Sequence, residues 1–338
     1  MPPIRDVMPA FELFQPSSVS DALTLLDRHA ADVWVMAGGL DTFDWLKDRI
    51  RKPRVVVDLS AIAELRGIKD AAGGLEIGAT TTLTEIANHA LVKERFGLLA
   101  EAAALVASPQ IRNQGTLGGN VSQDVRCWYY RAGWPCYRAE GNICYADTPT
   151  AINREHAIFD ADRCVAVNPS DTAPALIALD AQMVIRRGSG SEQVVPASDF
   201  FLGPGTDITR TTVLRPDDLL VAIRIPATFA GKQFYFEKVR DRQVWDFALV
   251  NVASALSMSG STIADSRIVV NGVSARPMRL ENVEALIRGK ARDEATAEAA
   301  GTLAVQGAVT LTHNAYKVPL MKALVKRAIR GAGAAWTS

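Results

Sequence analysis

The stretch "RNQGTLGGN", Arg112 to Asn120, decides how this chain is read. Its glycine pair lies between Leu117 and Asn120, with Thr116 just before. No Gly-Lys-Ser/Thr follows, so it is not a phosphate loop of the Walker type. It also lacks the third glycine and the predicted helix start of a Rossmann fingerprint. A second glycine pair lies upstream in "MAGGLDT", Met36 to Thr42, where "VWVMAGG" predicts a short buried strand running into the turn. Paired glycines allow positive φ and strip side chains from the backbone. Successive N–H groups can then converge on an anion. Thr116 and Asn120 can add side-chain hydrogen bonds. Two such turns could hold the two phosphates of a dinucleotide; either alone reads first as a turn needed only for packing.

Working outward, "AFELFQPSSVSDALTLLDRHA" predicts a strand and then a helix capped by Ser18 or Ser20, with Ala22, Leu23, Leu25 and Leu26 on its apolar face. "RVVVDLS" predicts another strand, which makes residues 1–60 a small α/β unit. "GLEIGATTTLTEIANHALV" reads as strand, turn and helix, with Thr82 or Thr84 as cap. "FGLLAEAAALVAS" is helical up to Pro109. Residues 122–168 show no period, and so long an irregular segment inside a domain needs something to staple it. "DTAPALIALDAQMVIRRG" then predicts a helix and a strand, and "DDLLVAIRIP" an edge strand ending at Pro226. A boundary is expected at "PATFAGK". Beyond it come strands in "KQFYFEKV", "FALVNVASALSMSG" and "STIADSRIVVNG", then three helices. The fold expected is α+β, with a two-part first domain over 1–226 (1–60, and 61–226 with its insertion at about 122–168) and a smaller α+β domain over 227–338.

The chain has 338 residues, 48% hydrophobic and 22% charged, enough for a large core. Lys+Arg and Asp+Glu balance at 37 each, so nothing points to nucleic acid. No run of about 18 apolar residues would span a membrane. The opening "MPPIRDVMPAFELFQP" has neither the apolar core of a signal peptide nor a twin-arginine pair, so the expected location is the cytoplasm.

All four cysteines fall within 38 residues, spaced Cys127-x8-Cys136-x7-Cys144-x19-Cys164. In a reducing compartment such clustering points to metal more than to disulfides. Structural zinc sites usually include a close Cys-x2–4-Cys pair, and none is present. Four thiolates from one irregular loop suit a 4Fe–4S cluster, although spacing alone leaves inert buried thiols open.

"AGGLD", "IGATTT", "ASPQIRNQGTLGGN", "PSDTAPAL" and "FEKVRDRQVWDFALVNVA", in that order, resemble the FAD-binding medium subunit of molybdenum hydroxylases, the xanthine dehydrogenase and carbon monoxide dehydrogenase family. "VNGVSARPMR" and "NAYKVPLMKALVKRAI" extend the likeness over nearly the whole chain. The resemblance implies a vanillyl-alcohol-oxidase-type FAD domain and two segments on the FAD pyrophosphate and ribityl groups. The first would be Trp34, Val35, Met36, Ala37, Gly38, Gly39, Leu40, Asp41 and Thr42; the second Thr116, Gly118, Gly119 and Asn120. Leu40 departs from the small polar residue usual in the family, which removes one side-chain hydrogen bond. Asp171 matches a position near the flavin's polar chain and Lys238 a lysine near the isoalloxazine, where a cation would favour the reduced ring. Asp246 either neighbours that ring or pairs with Arg240 or Arg242. A subgroup of the family, typified by bacterial aldehyde oxidoreductase and 4-hydroxybenzoyl-CoA reductase, carries an insertion whose four cysteines hold a 4Fe–4S cluster. It implies that role for Cys127, Cys136, Cys144 and Cys164. His156 could be a fifth ligand or proton carrier, but because four sulfurs complete a cubane it reads first as a hydrogen-bonded loop histidine.

The resemblance further implies a heterotrimer. A molybdopterin-binding large subunit would oxidise the substrate, and a small subunit with two 2Fe–2S clusters would relay electrons to FAD here. An external acceptor would then discharge them; in the benzoyl-CoA type the flow is reversed. A signal-bearing small subunit could carry the complex to the periplasm. The competing readings are a stand-alone FAD dehydrogenase and a zinc-binding scaffold.

Overall fold

The computed structural model describes residues 8–188 and 190–331. Residues 1–7 of the stretch read for export signals lie outside them. The first layer is a parallel sheet, β1 (Glu12–Phe14), β2 (Val33–Met36) and β3 (Val55–Asp58), in the order β1-β3-β2. Parallel strands need crossovers, which α1 (Val19–His29) and α2 (Leu40–Lys47) supply. Ser18 caps α1 by accepting the Asp21 N–H at 3.1 Å. Ala22, Leu23 and Leu26 are buried against Val55 and Val57, while Leu25 is only half-buried. β3 is buried throughout, but β2, expected to be buried, is half-exposed because Val33, Trp34 and Val35 border a cavity.

The next layer holds β4 (Ile68–Ala71), β5 (Gly74–Gly78), α3 (Leu83–Asn88), α4 (Ala90–Arg95), α5 (Gly97–Ala104), α6 (Pro109–Gln114), α7 (Leu117–Ser122) and α8 (Trp128–Arg131). It continues with α9 (Thr172–Ala178), β6 (Gln182–Arg186), β7 (Glu192–Pro196), α10 (Ala197–Phe200) and β8 (Leu219–Ile225). Thr82 caps α3 in a capping box. Its hydroxyl takes the Glu85 N–H at 3.2 Å, and Glu85 takes the Thr82 N–H at 2.9 Å. The strands form an antiparallel sheet in the order β4-β5-β8-β6-β7. The expected edge strand is therefore central. Pro226 follows the last strand residue, so its missing N–H interrupts no ladder. Between α7 and α9 the insertion has little regular structure beyond α8 and two single 3-10 turns, Tyr137–Ala139 and Tyr145–Asp147.

The last layer is an antiparallel sheet of β9 (Gln233–Val239), β10 (Val250–Ser259), β11 (Thr262–Asn271) and β12 (Met278–Arg279), ordered β12-β11-β10-β9. Strand alternation divides its residues between two cores. Phe236, Ala253, Ala255 and Val269 face the core that contains α5 and α9. Val250, Val252, Ile268 and Val270 face α11 (Glu281–Ile287), α12 (Glu294–Ala304) and α13 (Lys317–Arg330). On α13 the buried set Met321, Leu324, Val325, Ala328 and Ile329 follows the helical period. Among the described residues no helix is long and apolar enough to cross a membrane.

Candidate functional site

Both glycine segments open helices, which the sequence did not signal. Gly39, at φ 76°, is the N-cap of α2, and Thr116 caps α7 by accepting the Gly119 N–H at 3.1 Å. Gly39 is the member of the four glycines that takes positive φ; Gly38, Gly118 and Gly119 do not. Close approach explains two of these. A Cβ on Gly38 would lie 2.1 Å from Gln114 O, and one on Gly118 would lie 2.8 Å from Ala79 O. The two segments are thus in direct backbone contact, Gly38 against the end of α6.

Together they wall a cavity of about 650 Å³. The first segment reaches it at Trp34, Val35, Ala37, Gly38, Gly39, Leu40, Asp41 and Thr42; the second at Thr116, Gly118, Gly119 and Asn120. Met36 is not among the lining residues; its sulfur would lie 3.6 Å from a Cβ on Gly39. α2 has no side-chain cap, so the N–H groups of its first turn have no partner within the helix. The second segment differs. Gly118 N–H donates to Ala79 O at 2.8 Å and Leu117 N–H to Thr81 O at 3.0 Å, so it meets the cavity as backbone surface. Asn120 Oδ1 accepts from Ser170 Oγ and Thr172 Oγ1, both at 2.6 Å, which ties α7 to the start of α9. Trp34 Nε1 donates to Thr42 Oγ1 at 3.0 Å.

Asp171 lies at the N-terminus of α9 and lines the cavity, yet it is buried. Its Oδ2 accepts from Lys238 Nζ at 2.5 Å and its Oδ1 from Asn251 Nδ2 at 3.1 Å. Lys238 and Asn251 are directly opposed on β9 and β10. Lys238 is not a solvated strand residue: it sits on the inward face with Phe236 and also donates to Leu105 O at 3.1 Å. Burial pushes the Asp171 carboxyl up, against the pull of Lys238. Asp246 pairs with Arg242 at 2.7 Å.

Asp171, Asp246 and Arg126 also border a second cavity of about 550 Å³, which reaches Cys127 and His156. The four cysteines are free thiols. Cys127, Cys136 and Cys164 share an apolar cluster with Trp45, Val125 and Tyr130. Burial pushes the Cys127 thiol up to about 12 and Cys164 to about 11. His156 is pushed down to about 4 by burial and then by the charge of Lys317. Among the described residues no group of three or more His, Cys, Asp or Glu forms a site for a metal ion.

Sequence reasoning missed what holds the insertion. Arg131 reaches Asp41 at 2.7 Å and Arg138 reaches Asp124 at 2.7 Å. Residues 149–158 are clasped by 309–317: Asn314 Nδ2 donates to the carbonyls of His156 and Ala157 at 3.0 Å. Tyr316 donates its hydroxyl to Arg154 O at 3.0 Å, and Lys317 Nζ donates to Glu155 O at 2.9 Å. No local spacing announces partners more than 150 positions apart.

Comparison with known proteins shows the family. The family described as the FAD binding domain in molybdopterin dehydrogenase matches residues 9–228, and the CO dehydrogenase flavoprotein C-terminal domain matches residues 234–332. The carbon monoxide dehydrogenase medium chain of Hydrogenophaga pseudoflava is 30% identical over 97% of this chain and 99% of its own length. The aldehyde oxidoreductase FAD-binding subunit PaoB of Escherichia coli is 35% identical over 74% of this chain and 77% of that protein. The solved structure of the Hydrogenophaga carbon monoxide dehydrogenase lacking the Mo-pyranopterin moiety superposes with a TM-score of 0.76, at 29% identity, over 96% of this chain and 98% of that one. This chain belongs to the family of FAD-binding medium subunits of molybdenum hydroxylases, the molybdopterin dehydrogenases.

Proposed function

We propose that this chain holds both FAD and a 4Fe–4S cluster. It passes electrons between the two-iron clusters of a small subunit and an external acceptor, while a molybdopterin-binding large subunit oxidises an aldehyde or aromatic heterocycle. The observation that carries the reading is the single cavity walled by both glycine segments and bordered by Asp171, whose carboxylate Lys238 holds from behind. The likeness to the aldehyde oxidoreductase FAD-binding subunit favours the substrate class. The proposed division is a FAD-binding part over 1–226 and a C-terminal part over 227–338.

The residues present fit FAD. The uncapped first turn of α2 offers N–H donors to phosphate oxygens, aided by bare backbone at Gly38 and Gly39. Trp34, Val35, Leu40 and Thr42 continue that wall, and Thr116, Gly118, Gly119 and Asn120 also line the cavity. Buried Asn251 Oδ1 and Asn271 Oδ1 have no partner among the described residues and belong to residues lining the adjoining cavity. When bound, FAD supplies one- and two-electron exchange. Lys238 acts through Asp171, the member of the pair that reaches the cavity, so its charge is largely balanced where the ring would lie. Asp246, held by Arg242, borders both cavities.

The cluster is placed in the insertion on the chemistry of its four cysteines. These cysteines form no disulfide, and burial of Cys127 and Cys164 is unfavourable to their thiolates until a cation shares the charge. A cubane spreads four thiolates over four iron atoms, so its ligands stand wider apart than those of a single ion. Cys127, Cys136, Cys144 and Cys164 would be the ligands. With no further dinucleotide fingerprint in the chain, a non-nicotinamide acceptor is favoured.

Purification of the full chain tests this. One FAD with about four iron and four sulfide per chain is expected. A colourless, zinc-containing protein would overturn it, and substrate turnover by the isolated chain would favour a stand-alone dehydrogenase.

A further inference from the structure

His156 stands beside the sulfur of Cys127, with its Nε2 3.3 Å from Sγ. The ring is buried, and Nδ1 has no partner among the described residues. Its backbone is fixed on both sides. The His156 N–H donates to Asn153 O at 3.2 Å, and its carbonyl accepts from Asn314 Nδ2 at 3.0 Å. Asn153 is itself buried, donating to Ala146 O at 3.2 Å and accepting the His313 N–H at 3.0 Å. The imidazole is thus held against the sulfur by two elements distant in sequence.

A cysteine sulfur bound to iron is a thiolate and can only accept hydrogen bonds. Nε2 facing it must then carry the proton. That leaves Nδ1 a bare acceptor, the state its unpartnered position allows. Cys127 is, moreover, the one cysteine of the four among the residues lining the second cavity, which shares Asp171, Arg126 and Asp246 with the first. It therefore marks the side of the cysteine set nearest the flavin cavity.

We propose that His156 donates a hydrogen bond from Nε2 to the Cys127 thiolate and so raises the reduction potential of the cluster on its flavin-facing side. The inference rests on the cluster reading above. Reduction adds one electron to the cluster and increases the negative charge on its sulfurs. No bond is made or broken and the proton stays on Nε2. The donor stabilises the reduced state more than the oxidised one. His156 is in this sense a positioning residue and not a ligand.

The test uses the purified full chain as wild type, His156→Ala and His156→Gln. Iron and sulfide contents are measured, and the cluster is titrated reductively while its electron paramagnetic resonance signal is followed. His156→Ala should keep about four iron and lower the reduction equilibrium constant about tenfold, about 59 mV for a one-electron couple. His156→Gln, which keeps an N–H donor, should recover at least half of that shift. An unchanged potential in His156→Ala overturns the proposal, and loss of iron from both variants overturns it by making His156 a ligand or a structural prop. Absence of iron from the wild type overturns the cluster reading and this proposal together, an outcome distinct from an intact cluster at unaltered potential.

Discussion

Asp41 and Arg131, ninety positions apart, meet at 2.7 Å, and Arg126 brings a second guanidinium to the same carboxylate at 3.0 Å. Arg131 also stacks on Trp45, its guanidinium carbon 3.7 Å from the ring centroid. Asp41 lies in the first glycine segment and Arg131 in the cysteine insertion, so neither can shift without the other.

Arg131→Ala should therefore lower FAD retention as well as stability, by about 1.5–3 kcal/mol for the lost charged hydrogen bonds. Arg131→Lys should not rescue it, because a lysine neither forks around a carboxylate nor stacks as a planar cation. Flavin content after gel filtration and a denaturant melt measure both. Full flavin content in Arg131→Ala would show that the insertion and the flavin site are independent.

Gly38→Ala places a Cβ 2.1 Å from a backbone carbonyl, that of Gln114, which no side-chain motion relieves. FAD binding should be lost while the far-ultraviolet circular dichroism stays near wild type. Gly119→Ala meets Thr116 Oγ1 at 2.9 Å, a side-chain atom, and should cost less flavin occupancy. Equal loss in both variants would mean that general crowding, not the contact between segments, sets occupancy.

Lys238→Met leaves the buried Asp171 carboxylate without its cation, and a broken buried pair costs about 3–5 kcal/mol. The double variant Lys238→Met, Asp171→Asn removes both charges and should be more stable than the single one. Urea unfolding of the FAD-loaded protein decides this; an additive double variant would show that the two charges do not interact.

Lys317 is fully buried, with Nζ donating to the carbonyls of Glu155 and Gly272. Burial pushes it down to about 7 from its ordinary 10.5. Between those values the unfolded chain holds a proton that the folded chain has released. Stability should therefore rise with pH above about 7, by up to about 1.4 kcal/mol per pH unit. Lys317→Met should lack this rise. Unfolding free energies of both proteins from pH 6 to 9 test it, and parallel curves would refute it.

Much of the layer order was legible because apolar alternation and caps are local signals. Ser18 and Thr82 announced their helices, and the apolar residues of β10 and β11 announced their strands. β8 was misplaced to an edge because Pro226 was given weight it does not have one residue beyond the strand. The helix starts at Leu40 and Leu117 were hidden because glycine is a poor helix former, and close approach to Gln114 and Ala79 is a tertiary requirement. The family-type site positions could be named from motif likeness. The Asp171–Lys238–Asn251 network could not be derived from spacing, nor could the Arg131–Asp41 tie of the insertion, since each joins residues far apart in the chain.

The clasp between residues 149–158 and 309–317 sets an order of events during synthesis. Arg154 and Tyr316 are 162 positions apart. At about 5–20 residues per second, roughly ten to thirty seconds separate their appearance from the ribosome. Throughout that interval the cysteine segment exists without its latch. Closure awaits the C-terminal helices, so a nascent chain stalled before residue 309 should expose the insertion to limited proteolysis that the finished chain resists.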